Sequence, residues 1–150
     1  LGVELFVNGI ASLLRHIDER RLANVRILPE EARVVLAALP DASVVRLFAL
    51  FPDPWPKARH HKRRLIQPAT LDEIARVLAP GGRIVLMDED FTHPDHPQHA
   101  THHDHEAETT IVDVTAIAQS LRARGLDATG EKTIGGGVPV KLIRATKPAG

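Results

Sequence analysis

Val44-Val45-Arg46-Leu47-Phe48-Ala49-Leu50-Phe51-Pro52-Asp53-Pro54-Trp55-Pro56 is the stretch that decides how this chain folds. Val44 to Phe51 is an almost continuous apolar run, interrupted by Arg46, of the kind expected for a strand buried on both faces. The alternating prolines that follow force extended geometry and exclude both helix and central strand. A buried strand therefore empties into a rigid loop that carries an aspartate and the chain's one tryptophan.

The pattern extends outward on both sides. Downstream, Leu71, Ile74, Ala75 and Leu78 share one face of a predicted helix, with Thr70 and Glu73 spaced as a capping box. Pro80-Gly81-Gly82 terminates it, and Arg83 to Met87 is the next strand. A histidine-rich loop then leads to a helix through Ile111, Val114, Ala118 and Leu121, ending near Gly125. Two closing strands are expected around Thr129 to Ile134 and Val138 to Ala145, joined at Gly135-Gly136-Gly137 by a hairpin turn. Upstream, Leu1 to Phe6 reads as a strand, and Val7, Ile10, Ala11, Leu14 and Ile17 follow the spacing of an amphipathic helix. Asn24 to Leu28 is a second strand and Glu31 to Leu39 a short helix. Strands alternating with helices predict an α/β fold: an open, mostly parallel sheet, helices on both faces, and an antiparallel edge at the end. With no internal repeat and no linker, residues 1–150 read as one domain.

Composition narrows the function classes. A 43% hydrophobic and 25% charged chain has the balance of a globular protein, and no apolar run approaches the roughly 20 residues of a bilayer span. No signal-peptide pattern opens the sequence, so a cytoplasmic location without membrane attachment is the expectation. The absence of cysteine excludes disulfides and thiolate metal sites. Nineteen basic and nineteen acidic residues cancel, so overall charge predicts no polyanionic partner. Their distribution does: Lys57, Arg59, Lys62, Arg63 and Arg64 lie together with His60 and His61 between them.

In a doubly wound sheet, ligands bind beyond the carboxyl ends of the strands, where the loop holding Asp53 begins. An exposed Trp55 beside a basic run suits stacking on a base; alternatively Trp55 packs on the end of the sheet and Asp53 caps the next turn. The run from Lys57 to Arg64 is either a solvated loop or a phosphate-binding patch held near the strand ends by the prolines. His93, His96, His99, His102, His103 and His105, with Asp95, Asp104, Glu106 and Glu108, offer ligands that suit zinc or nickel. Pro94 and Pro97 oppose a regular helical site there, so an exposed polar insertion with no metal is the expectation.

The loop and its basic tail together carry a resemblance. Phe51-Pro52-Asp53-Pro54-Trp55-Pro56-Lys57, then Arg59-His60-His61-Lys62-Arg63-Arg64, resembles the signature of the bacterial tRNA (guanine-N7)-methyltransferases. Gln67-Pro68, Leu71 and Leu78-Ala79-Pro80-Gly81-Gly82 continue it in register. Gly2-Val3-Glu4, Asn8-Gly9-Ile10-Ala11-Ser12-Leu13-Leu14 and Asn24-Val25-Arg26 match upstream, so the similarity runs from Leu1 to about Met87.

The resemblance implies a Rossmann-like, class I S-adenosylmethionine-dependent methyltransferase fold. It also implies methyl transfer from S-adenosylmethionine to N7 of guanine 46 in tRNA. Glu4 matches the acid that binds the cofactor's ribose hydroxyls, Glu31 stands where the family usually has an aspartate near the adenine, and Asp53 matches the acid beside the transferring methyl. Lys57 matches a substrate-binding lysine, and Arg59, His60, His61, Lys62, Arg63 and Arg64 match the RNA-contacting segment. After Met87 the family places a substrate-facing aspartate, for which Glu89 or Asp90 is available and Glu89 is taken. Family members carry a strand and a glycine-rich cofactor turn ahead of the segment matching Leu1. A chain shortened at its N-terminus is therefore expected, with an incomplete N-terminal half and a homo-oligomer or complementing chain to fill it. The alternative to an active enzyme is a catalytically inactive, RNA-binding relic or fragment.

Overall fold

The computed structural model describes residues 1–52, 62–96 and 113–150, which form two compact units, Leu1–Leu39 and Pro40–Gly150.

The first unit is a single β-α-β-α run. Strand β1 (Gly2–Val3) pairs in parallel with β2 (Ile27–Leu28), in the register Gly2 to Ile27 and Val3 to Leu28. Parallel pairing needs a crossover, which helix α1 (Val7–Glu19) supplies. Both strands are shorter than the sequence predicts. The α1 stripe is not buried: Val7 and Leu14 are exposed, while Ile10 and Ile17 are half-buried. Helix α2 (Ala32–Ala38) follows with Val35 and Leu36 buried.

The second unit holds a four-stranded sheet in the order β3-β4-β6-β5, comprising β3 (Val44–Leu50), β4 (Leu78–Glu89), β5 (Asp127–Gly135) and β6 (Val138–Thr146). Strands β3 and β4 are parallel and joined through helix α3 (Pro68–Val77). Strand β6 lies antiparallel between β4 and β5, so the antiparallel edge expected at the end is present. Helix α4 (Val114–Arg122) packs on β5 and β6. The core is formed by Leu71, Ile74 and Val77 of α3, Ile117, Ala118 and Leu121 of α4, and Ile84, Leu86, Ile143 and Ala145 of the sheet.

Three local features differ from, or sharpen, the sequence expectations. The capping box is not formed: Gln67 is the N-cap without a side-chain bond, Pro68 opens the helix, and Thr70 is buried inside it. Glu73 instead takes two hydrogen bonds from Arg76, at 2.9 and 2.6 Å. Strand β3 is not buried on both faces, since Val45, Phe48 and Leu50 are exposed. Hydrophobicity records a tendency to be covered, whereas burial needs an element packed over that face, and among the described residues these side chains are not covered. The hairpin turn forms as predicted: Gly136 and Gly137 have φ of 61° and 84°, the left-handed pair that a two-residue type I′ turn requires.

Candidate active site

In the first unit, two carboxylates stand at the carboxyl ends of the parallel strands. Glu4 follows β1, and its N–H donates to Leu28 O at 3.2 Å, which sets it against the end of β2. Its Oε1 accepts from the N–H groups of Leu5 and Phe6, each at 2.8 Å, and its Oε2 has no partner among the described residues. A carboxylate gripped on one oxygen by backbone amides is fixed in direction while the other oxygen remains available as an acceptor. Glu31 is the N-cap residue of α2, without a side-chain cap bond, and its Oε1 accepts from Arg33 Nε. The parallel β1/β2 pairing and the short β2-α2 connection thus bring Glu4 and Glu31 to the same edge.

In the second unit, the corresponding edge lies at the ends of β3 and β4. Phe51 leaves β3 with φ of 50°, a left-handed conformation that costs a non-glycine residue of order 1 kcal/mol. Its N–H donates to Met87 O at 2.7 Å. That bond ties Phe51 to Met87, near the end of β4. Asp53, Trp55, Lys57, Arg59, His60 and His61 lie outside the described residues. Lys62 and Arg63 are exposed in a short 3₁₀ turn, and Arg64 is half-buried.

The carboxylates at the end of β4 differ in environment. Burial pushes the Asp88 carboxyl up to about 6, against the smaller opposing pull of the Glu89 N–H and Lys141. Glu89, the last residue of β4, is half-buried, with Oε2 3.6 Å from His96 Nε2. Asp90 is only 1% exposed. Its Oδ1 accepts from Thr92 Oγ1 at 2.6 Å, and Lys132 Nζ lies 3.0 Å from its Oδ2. Burial acts to raise the Asp90 carboxyl, but the Thr92 hydroxyl and the Lys132 and Lys141 ammoniums outweigh it and hold the group below the usual carboxylate range. Of the two acids open for the substrate-facing role, Glu89 is half-buried, whereas Asp90 is enclosed and already partnered.

Lys132, Lys141, Thr92 and His96 were not singled out by the sequence as partners of these acids. One signal was present: Lys141 interrupts the apolar run Val138-Pro139-Val140-Lys141-Leu142-Ile143, and a lysine inside a buried strand calls for a paired acid. His93 is half-buried, and its Nδ1 accepts from Asp95 N–H at 3.1 Å. His99, His102, His103 and His105 lie outside the described residues. Among those described, no group of three or more histidines and acids is arranged to hold a metal ion, and no helix is long and apolar enough to cross a membrane.

Each unit thus carries acids at the carboxyl ends of its own parallel strands, Glu4 and Glu31 in the first and Glu89 in the second. Residues 1–125 match the model of a family described as putative methyltransferase. The chain belongs to that family. Within it, the chain is 56% identical over 91 residues to a tRNA (guanine-N(7)-)-methyltransferase of Paramagnetospirillum magneticum, covering 60% of this chain and 38% of the relative. It is 62% identical over 81 residues to one of Caulobacter sp. strain K31, covering 54% of this chain and 36% of the relative. The matched part is little more than a third of the length of these curated relatives. Among solved structures, YcgJ of Bacillus subtilis aligns with a TM-score of 0.65 at 14% identity, over 99% of this chain and 82% of that one. A SAM-dependent methyltransferase of Aquifex aeolicus aligns at 0.61 and 17% identity, over 96% of this chain and 66% of that one. At these identities the likeness shows the fold alone, and the fold is the Rossmann-like class I methyltransferase type.

Proposed function

We propose that the chain acts in transfer of a methyl group from S-adenosylmethionine to N7 of a guanine in tRNA. The observation that carries this reading is the 56% identity over 91 residues to a tRNA (guanine-N(7)-)-methyltransferase. Glu4 fits the cofactor: a carboxylate at the end of β1, with Oε1 pinned by two amides and Oε2 without a partner among the described residues, suits a pair of ribose hydroxyls. Glu31, at the N-cap of α2, is the residue for the adenine side. S-adenosylmethionine supplies, when bound, an electrophilic methyl group on a sulfonium.

Guanine N7 presents an in-plane lone pair and carries no proton, so no side chain has to act as a base. What remains for the protein is orientation and charge. Asp53 orients the base and stabilises the cation that develops on the purine. Glu89, half-buried at the end of β4, contributes a second acceptor. Lys57 and the run Arg59, His60, His61, Lys62, Arg63 and Arg64 neutralise tRNA phosphates, which gives affinity that falls as salt rises. The protein works in the cytoplasm, where its tRNA substrate is found.

The test is calorimetric titration of the purified chain with S-adenosylmethionine, followed by methylation of unmodified tRNA. One-to-one micromolar binding that is lost in Glu4→Ala, with N7-methylguanine formed in the tRNA, is the expected result. Salt-dependent tRNA binding without cofactor binding or turnover would replace this reading with a non-catalytic RNA-binding role. No binding of either ligand by a folded chain would remove both.

A further inference from the structure

The main chain on either side of the Glu89 side chain is fixed. Glu89 N–H donates to Asp88 Oδ1 at 3.0 Å, and Asp90 N–H donates to Pro139 O at 2.9 Å. Beyond it, Asp90 is held from several directions. Thr92 Oγ1 donates to its Oδ1 at 2.6 Å, Lys132 of β5 approaches its Oδ2 at 3.0 Å, and the buried Lys141 of β6 lies 3.7 Å from Oδ1. A buried carboxylate between two ammoniums is costly to desolvate, and apolar side chains of similar size often stabilise a fold as well or better. What this cluster supplies that apolar residues cannot is a fixed turn.

The turn is built on Asp90. His93 N–H donates to Asp90 O at 3.0 Å, and His96 N–H donates to His93 O at 2.9 Å, so the chain folds back within a few residues. His96 arrives buried, its ring 4.6 Å from that of Phe91 and inclined at 60°. Its Nε2 then stands 3.6 Å from Glu89 Oε2. Either an imidazolium or an Nε2–H dipole at that distance attracts the carboxylate. Lys132 and Lys141 face Asp90, and His93 faces Asp95 at 3.9 Å, so the imidazole beside Glu89 is that of His96.

We infer that Asp90 and His96 are positioning residues for Glu89: Asp90 folds the turn, and the turn returns the His96 imidazole to hold the Glu89 carboxylate at the edge of the site. The role of Glu89 toward guanine rests on the proposed function; the pairing of Glu89 with His96 does not. Two measurements keep these separate. The first is a urea-unfolding cycle of His96→Phe, which keeps a ring against Phe91, with Glu89→Gln and the double variant. The double variant is expected to be no less stable than the weaker single one, a coupling of about threefold or more in the unfolding constant. Additive effects would overturn the pairing whether or not the chain methylates tRNA.

The second measurement is tRNA methylation kinetics. His96→Phe is expected to raise KM for tRNA about tenfold with kcat within about twofold, the pattern of lost substrate binding. Glu89→Gln should do the same, the double variant should go no further, and His96→Gln, which restores a side-chain N–H donor, should recover most of the loss. Asp90→Asn, close in shape, should reproduce the rise in KM with unchanged secondary structure. An unchanged KM in His96→Phe of an active chain would overturn the positioning role. A wild-type chain that neither binds nor methylates tRNA would remove the proposed function, and the unfolding cycle alone would then decide the pairing.

Discussion

Asp88 makes a quantitative prediction about pH. It is half-buried on β4 opposite Lys141 of β6, and its Oδ1 accepts the Glu89 N–H at 3.0 Å. Burial raises its carboxyl from 3.8 to about 6, a figure that already includes the attraction of Lys141. Between those values the folded chain binds this proton more tightly than the unfolded chain does. Stability from this group therefore falls as pH rises from about 4 to about 6, and the full penalty is present above 6. At about 1.4 kcal/mol per pH unit the penalty would reach about 3 kcal/mol, and solvent around a half-buried carboxylate reduces it to about 1–2 kcal/mol. Asp88→Asn keeps the acceptor for Glu89 and removes the charge. It should be more stable than the wild type by that amount at about pH 7.5, a urea midpoint about 0.5–1 M higher. The gap should close by about pH 4. Asp90, whose carboxyl is lowered, loses its stabilising effect only at more acid pH, outside this window. Equal or lower stability of Asp88→Asn at about pH 7.5, or a gap that persists at about pH 4, would refute this account.

Three further outcomes are expected. Gly130→Ala would set a Cβ 2.4 Å from Val114 O, so α4 must move off β5; thermal unfolding should show a loss of about 1–3 kcal/mol. Asp113→Ala removes the α4 N-cap, whose Oδ1 accepts from Thr115 and Ala116 N–H at 2.9 Å each; chemical unfolding should report a loss of about 1 kcal/mol. Lys62→Ala and Arg63→Ala should each weaken tRNA binding to a similar extent for all tRNAs. Each should also reduce the slope of log affinity against log salt by about one, as read from filter-binding titrations.

The sequence by itself determined the kind of elements and their order. Apolar periodicity marked α1, α3 and α4, glycine pairs marked the β5-β6 turn, and the proline loop marked the end of β3, because propensity and turn chemistry act over a few residues. The motif from Phe51 to Arg64 was legible as a family resemblance, and Glu4, Glu31 and Glu89 were picked out because they match positions of that family, so their roles remain proposals. Only the tertiary structure decided which acid at the end of β4 is enclosed. Asp90 is enclosed by Lys132 and Lys141, tens of residues away in sequence, and their approach depends on β6 inserting between β4 and β5. The same holds for β3, whose apolar sequence predicts cover on both faces while Val45, Phe48 and Leu50 are exposed in the structure. Local sequence sets what a segment can become; which charges meet, and which faces are covered, depends on contacts between segments far apart in the chain.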